Sequence, residues 1–149
     1  MTGDNSQEHL DFEADHLRFK LQITLAAEQQ AVDDVVQRVM KAMRESDCVT
    51  GKEDAVELSL AEALSNAVVH GAKCDPTKVV ECDIACDQKR TVLIIVRDPG
   101  NGFDPSKIPS PVLGENLFSN HGRGVYLINQ LMDHVQFHKN GTEIHMIKK

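Results

Sequence analysis

Three short segments of this 149-residue chain hold side chains that could do chemistry together. The first, Glu62-Ala63-Leu64-Ser65-Asn66-Ala67-Val68-Val69-His70-Gly71, spaces an acid, an amide and an imidazole at four-residue intervals. On a helix at ~100° per residue, Asn66 and His70 fall about 40° and 80° round from Glu62, on one polar stripe. Ala55, Leu58 and Val69 flank that stripe, where a solvated face would carry Lys, Glu and Gln. A side-chain amide oxygen is a hard neutral ligand suited to Mg²⁺, which otherwise keeps water and phosphate oxygens. A carboxylate one turn away can act as a base beside the metal without binding it. Asn66 is therefore the candidate metal ligand and Glu62 the candidate base. His70, at the expected helix end, reads as a local hydrogen-bonding or capping residue.

The second segment, Asp98-Pro99-Gly100-Asn101-Gly102-Phe103-Asp104, follows the apolar run Val92-Leu93-Ile94-Ile95-Val96. A carboxylate at the end of such a strand is half buried and needs a donor. The exocyclic amine of adenine supplies one, whereas guanine presents an acceptor at the same position. Asp-Pro-Gly alone also reads as a turn start. Gly100 and Gly102 let a flat base approach the backbone closely. The third segment is Asn120-His121-Gly122-Arg123-Gly124 ahead of an apolar helical stretch. Glycine-flanked amides and one arginine at a helix start suit a polyphosphate. In this order the three segments describe a nucleoside triphosphate pocket. It is neither a P-loop nor a dinucleotide fold, because GxxxxGK[ST] and the strand–GxGxxG–helix pattern are both missing.

The elements that would position these residues can be read from periodicity. Residues 1–15 are polar and acidic and read as a flexible leader, with the globular domain at 16–149. His16 to Ile23 alternates as a half-buried strand, and Thr24 is the expected N-cap of the helix that follows. Ala27, Val32, Val35, Val36, Val39, Met40 and Met43 form that helix's apolar stripe. Ser46 to Gly51 breaks it. A second helix is expected over Lys52–His70, with Gly71 as C-cap. Strands are expected over Lys78–Cys86 and Thr91–Arg97, then an irregular loop to His121, a short helix over Gly122–Met132, and a hairpin turning at Lys139-Asn140-Gly141. Loops of that length inside a compact domain are commonly lids. The order β-α-α-β-β-loop-α-β-β implies an α/β two-layer sandwich: a mixed, mainly antiparallel sheet with helices on one face.

Composition removes several alternatives. Sixteen Lys and Arg against 23 Asp and Glu leave a net charge of −7, and the basic residues are scattered, so direct nucleic-acid binding is not expected. The longest apolar run, Val92 to Val96, is far too short to span a bilayer, and the chain carries no secretory leader, so no membrane association and a cytoplasmic location are expected. Cys48, Cys74, Cys82 and Cys86 show no CxxC pair and read as reduced thiols.

With these residues in place, the chain resembles the GHKL ATPase superfamily, which includes gyrase, the large heat-shock chaperone, histidine kinases and a mismatch-repair protein. Glu62 to Gly71 matches the N-box, Asp98 to Gly102 the first glycine box and Gly122 to Gly124 the second. More narrowly, Gly122-Arg123-Gly124-Val125-Tyr126-Leu127-Ile128, Leu131-Met132-Asp133 and Asn140-Gly141-Thr142 resemble bacterial anti-sigma-factor serine/threonine kinases. The resemblance spans about residues 16–148. It implies ATP with Mg²⁺ and a histidine-kinase-like ATPase fold. By position it implies Glu62 as general base, Asn66 as Mg²⁺ ligand, Asp98 as adenine contact and Gly100 and Gly102 as the adenine-side turn. Gly122, Arg123 and Gly124 fall on the phosphate lid, and Thr142 on a polar group near the base. Val125 stands where leucine is common and His134 where an acid is common.

The resemblance also implies a partner-switching role, in which the protein binds a sigma factor and phosphorylates a serine of an anti-anti-sigma protein. Two function classes stay open: this kinase, and a nucleotide-gated binding module that sequesters a partner with little or no phosphotransfer. Glu62 favours the kinase, since binding alone needs no base. A histidine kinase core fits poorly, because about 15 residues before the first strand leave no room for a helical pair bearing a phosphoacceptor. The sequence leaves a homodimer open.

Overall fold

The computed structural model describes residues 12–100 and 120–149. The elements run in the expected order: β1 (Leu17–Ala26), α1 (Gln29–Glu45), α2 (Glu53–Asn66), a π-helical turn (Ala67–Gly71), β2 (Val79–Asp87), β3 (Val92–Arg97), α3 (Asn120–Leu131), β4 (His134–His138) and β5 (Glu143–Lys148). The sheet order is β1-β2-β3-β5-β4. Every pair among the described residues is antiparallel, so the sheet shows no parallel component there. The α/β two-layer sandwich stands.

Side-chain alternation explains the layering, since a strand sends successive residues to opposite faces. Val80, Cys82, Ile84 and Cys86 of β2, Val92, Ile94 and Val96 of β3, and Ile144 and Met146 of β5 join one buried cluster with the helices. α1 contributes Val32, Val35, Val36, Val39, Met40 and Met43, the stripe legible in the sequence. α2 contributes Val56, Leu60, Ala63 and Leu64. Each fully buried Leu, Ile, Val or Met is worth about 1.5–3 kcal/mol. The other face carries a smaller cluster of Leu93, Ile95 and Ile147, against which Phe12 packs. Residues 12–15, assigned to the leader by composition, are thus partly tied to the body: the Glu13 amide also donates to Asp87 Oδ2 at 2.9 Å.

Three local expectations are corrected. Thr24 is not a helix cap, because it pairs with Glu81 in a strand that continues to Ala26, and α1 starts after an extended Glu28 without a side-chain cap. Gly71 is not a left-handed C-cap: α2 widens into the π turn, and the left-handed residues beyond it are Lys73 and Cys74, both at φ 57°. α3 begins at Asn120, two residues before the expected Gly122, so Gly122 to Gly124 lie inside its opening turns. The hairpin turn is as read, with Lys139, Asn140 and Gly141 all at positive φ. Among the described residues no helix is long and apolar enough to cross a membrane. Cys48, Cys82 and Cys86 are buried free thiols and Cys74 is exposed.

Candidate functional site

A cavity of about 270 Å³ opens between α2, α3 and the helix-facing side of the sheet. Its floor is apolar: Val96 from β3, Phe137 from β4 and Ile144 from β5, faced by Ala63, Ala67, Val125 and Ile128 from the helices. Among the described residues its polar side chains are Asn66, His70, Lys73, Asp98 and Thr142. An apolar slot with a few fixed polar groups is the usual form of a small-ligand site. The volume falls below the ~300–1,000 Å³ of drug-sized pockets, which suits a base and sugar with phosphates extending beyond it.

Asp98 closes one end. Its amide donates to the Thr142 carbonyl at 2.9 Å, extending the β3–β5 ladder by one bond. Its Oδ1 accepts from the Gly100 amide at 2.8 Å, the turn expected of Asp-Pro-Gly. Burial raises its pKa, and the Gly100 hydrogen bond only partly offsets this. A half-buried acid with a raised pKa in a cavity is a functional-site signal, because it gains from a ligand donor. The Thr142 hydroxyl donates to the Lys139 carbonyl at 2.7 Å, which leaves its oxygen able to accept.

Two glycines make this corner feasible. A Cβ on Gly71 would strike the Asp98 side chain, and one on Gly100 would strike the Gly71 carbonyl oxygen. The end of the first segment and the start of the second therefore interlock backbone to backbone. The π turn supplies the geometry, since its wider ring, closed by Ala72 N–H to Ala67 C=O at 2.8 Å, carries Gly71 onto Asp98.

At the other end, Glu62 and Asn66 share one helix face, and Gly124 of α3 lies against both. A Cβ there would be 2.8 Å from Glu62 Oε1 and 2.9 Å from Asn66 Nδ2. Glycine at 124 thus lets α3 close directly onto the carboxylate and the amide of α2. Among the described residues no cluster of three His, Cys, Asp or Glu could hold a metal by protein ligands alone. A Mg²⁺ ion here would take one ligand from Asn66 and the rest from phosphate and water.

The structure thus brings Asn66, Asp98 and Thr142 to one cavity, sets Glu62 one turn from Asn66 against Gly124, and places Gly100 behind Asp98. Gly122 and Arg123 lie in the opening turn of α3, whose N–H groups have no intrahelical partners. Gly102, and most of the expected lid from Phe103 to His121, fall outside the described residues. His70 lines the cavity and is more than a helix-end cap; burial and then the Lys73 charge lower its pKa. Lys73 also lines the cavity and is not singled out by the sequence reading. Its only sequence signal is a position two residues beyond Gly71.

The model of one family, the histidine kinase-like ATPase domain, matches residues 25–148. Among curated proteins, none matches the chain.

Proposed function

The chain belongs to the histidine kinase-like ATPase domain family, and on that premise we propose that it is a protein serine/threonine kinase of the anti-sigma-factor type. An ATP-binding domain follows from the family. The kinase reading goes further and is supported by one observation: Glu62 stands one helical turn from the cavity-lining Asn66, with Gly124 of α3 packed against both. Adenine binding at Asp98 and Thr142 directs the triphosphate toward that pair. A bound Mg²⁺, with Asn66 as its protein ligand, would neutralise charge on the phosphate oxygens.

In the proposed reaction a serine hydroxyl of the anti-anti-sigma protein attacks the γ-phosphorus. Glu62 takes the hydroxyl proton, the bond from the γ-phosphorus to the bridging oxygen breaks, and ADP leaves. The N–H groups at the start of α3 face the charge on the phosphates. The same protein would bind a sigma factor in the cytoplasm, and phosphorylation of the second partner would control the exchange between them.

Glu62→Gln tests the reading because it keeps size and hydrogen bonding while removing the base. Phosphorylation of a cognate anti-anti-sigma protein should slow by about 10²- to 10⁴-fold with ATP binding retained. A wild-type rate would exclude Glu62 as the base. ATP-dependent partner capture by the wild type without any phosphotransfer would replace the kinase by the nucleotide-gated binding module.

A further inference from the structure

We propose that Arg97, on the face of the sheet opposite the cavity, is a positioning residue that sets Asp98 and Thr142 for recognition of the base. The inference rests on the ATP-binding reading of the cavity. Arg97 is the last residue of β3 and lies in register with Glu143, the first of β5, and with Glu81 of β2. Its guanidinium spans two strands: Nε donates to Glu143 Oε2 at 2.8 Å and Nη1 to Asp83 Oδ2 at 2.7 Å. Glu143 is itself buried and anchored again, by His145 Nε2 at 2.8 Å and by Lys139 Nζ at 3.6 Å. The His145 ring in turn packs on His138 of β4, with centroids 4.1 Å apart. One guanidinium thereby ties β2, β3 and β5 together, and the network reaches β4.

The functional consequence comes from position. Asp98 is the residue after Arg97 and Thr142 the residue before Glu143. Because strand side chains alternate, the clamp lies on one face and the two site residues border the cavity on the other. The Asp98–Thr142 backbone bond is the first beyond the clamped pair. Past it the chain leaves the sheet through Pro99, which has no N–H to extend the ladder. Burial works against the Asp98 carboxylate, and among the described residues the amide of Gly100 offsets it. Its direction is therefore inherited from the strand end, and Arg97 fixes that end. A planar fork holding two carboxylates at once defines a geometry that a point charge cannot.

The test is Arg97→Met, with Arg97→Lys beside it. A control variant in α1, Val39→Ala, lowers stability in the core and lies outside the cavity lining. ATP and GTP affinities are measured by calorimetry on the full chain, and amide exchange is followed without nucleotide. Arg97→Met should weaken ATP binding by about tenfold, the scale of one misaligned charge-assisted hydrogen bond, and leave GTP binding nearly unchanged. Arg97→Lys should fall between, the control should keep the wild-type ATP:GTP ratio, and Arg97→Met should lose exchange protection at the Asp98 amide but not at Ile94. If the wild type prefers ATP and Arg97→Met keeps both the ratio and the Asp98 protection, Arg97 is not a positioning residue while the ATP reading stands. If the wild type shows no preference for ATP, base recognition by Asp98 fails and the positioning role fails with it.

Discussion

On the proposed reading, Asp98 has to be ionised to select adenine, in surroundings that favour the protonated form. Burial raises its pKa above the ordinary 3.8, and the Gly100 amide recovers part of the cost. The sign follows from linkage. With the folded value raised, the group protonates in the folded protein while it would still be ionised in an unfolded chain, so the acceptor is lost as pH falls through the raised value. An adenine amine favours the ionised form and draws the pKa back down. ATP affinity should therefore fall on the acid side, and binding at acid pH should release a proton, measurable by calorimetry in buffers of different ionisation enthalpy. Asp98→Asn should abolish that acid limb. It should also remove most of the discrimination against GTP, which a charge-assisted bond of about 1.5–3 kcal/mol sets at roughly 10- to 150-fold. An acid limb that persists in Asp98→Asn would assign the titration to another group. The Asp-Pro-Gly turn was readable as a sequence, since each residue has a local reason to be there. Lys73 was not, because its place at the cavity depends on the π turn that precedes it.

Between elements, the decisive contact is α3 against α2. Gly124 lies inside α3, where a glycine costs roughly 0.5–1 kcal/mol relative to alanine. Its missing Cβ lets α3 approach Glu62 and Asn66, whose side-chain ends are the atoms an added methyl would meet. Those ends can rotate away, so Gly124→Ala should leave the melting temperature unchanged or slightly raised. On the proposed reading it should nevertheless weaken Mg²⁺-dependent ATP binding by about tenfold or more, since the methyl forces the Glu62 and Asn66 side-chain ends to turn away. A thermal shift assay paired with nucleotide titration separates the two effects, and undiminished ATP affinity would show that nucleotide binding does not depend on how Glu62 and Asn66 are set against Gly124. Gly71 and Gly100 differ, because there a Cβ meets the Asp98 side chain or backbone oxygen, and the fold itself should suffer. The helices and strands were legible from their 3.6- and 2-residue periods, from the Val32–Met43 stripe to the β3 run. The π turn was not, because Ala67-Val68-Val69-His70 continues a helical pattern and the widening shows only in the Ala72 N–H to Ala67 C=O bond. The clamp of Asp83, Arg97, Glu143 and His145 was equally hidden, since it depends on strand register.

At the scale of the whole molecule, the two faces of the sheet are finished by different means. Helices seal one face with a continuous apolar cluster, whereas the other combines three aliphatic side chains, the Arg97 network and Phe12 from the chain's first described residues. Composition alone put Phe12 in an acidic leader; only the tertiary fold shows that it has a place on the sheet. Glu13 strengthens the attachment. Its amide is one of three N–H groups, with Lys89 and Thr91, that satisfy the buried Asp87 carboxylate at the β2–β3 turn. The Glu13–Lys89 ion pair is exposed and adds little. Comparing a chain that starts at residue 12 with one that starts at residue 16 isolates this attachment. Losing a half-buried phenylalanine and one charge-assisted hydrogen bond should cost about 2 kcal/mol, which for a domain of this size lowers the melting temperature by roughly 4–8 °C. ATP affinity should change far less than stability, because Phe12 and Glu13 lie across the sheet from the cavity and Asp87 is at the opposite end of β2 and β3 from Asp98. Equal melting temperatures would mean that Phe12 contributes nothing to closing this face. A large loss of ATP affinity would mean that the outer face and the nucleotide cavity are coupled well beyond the Arg97 clamp.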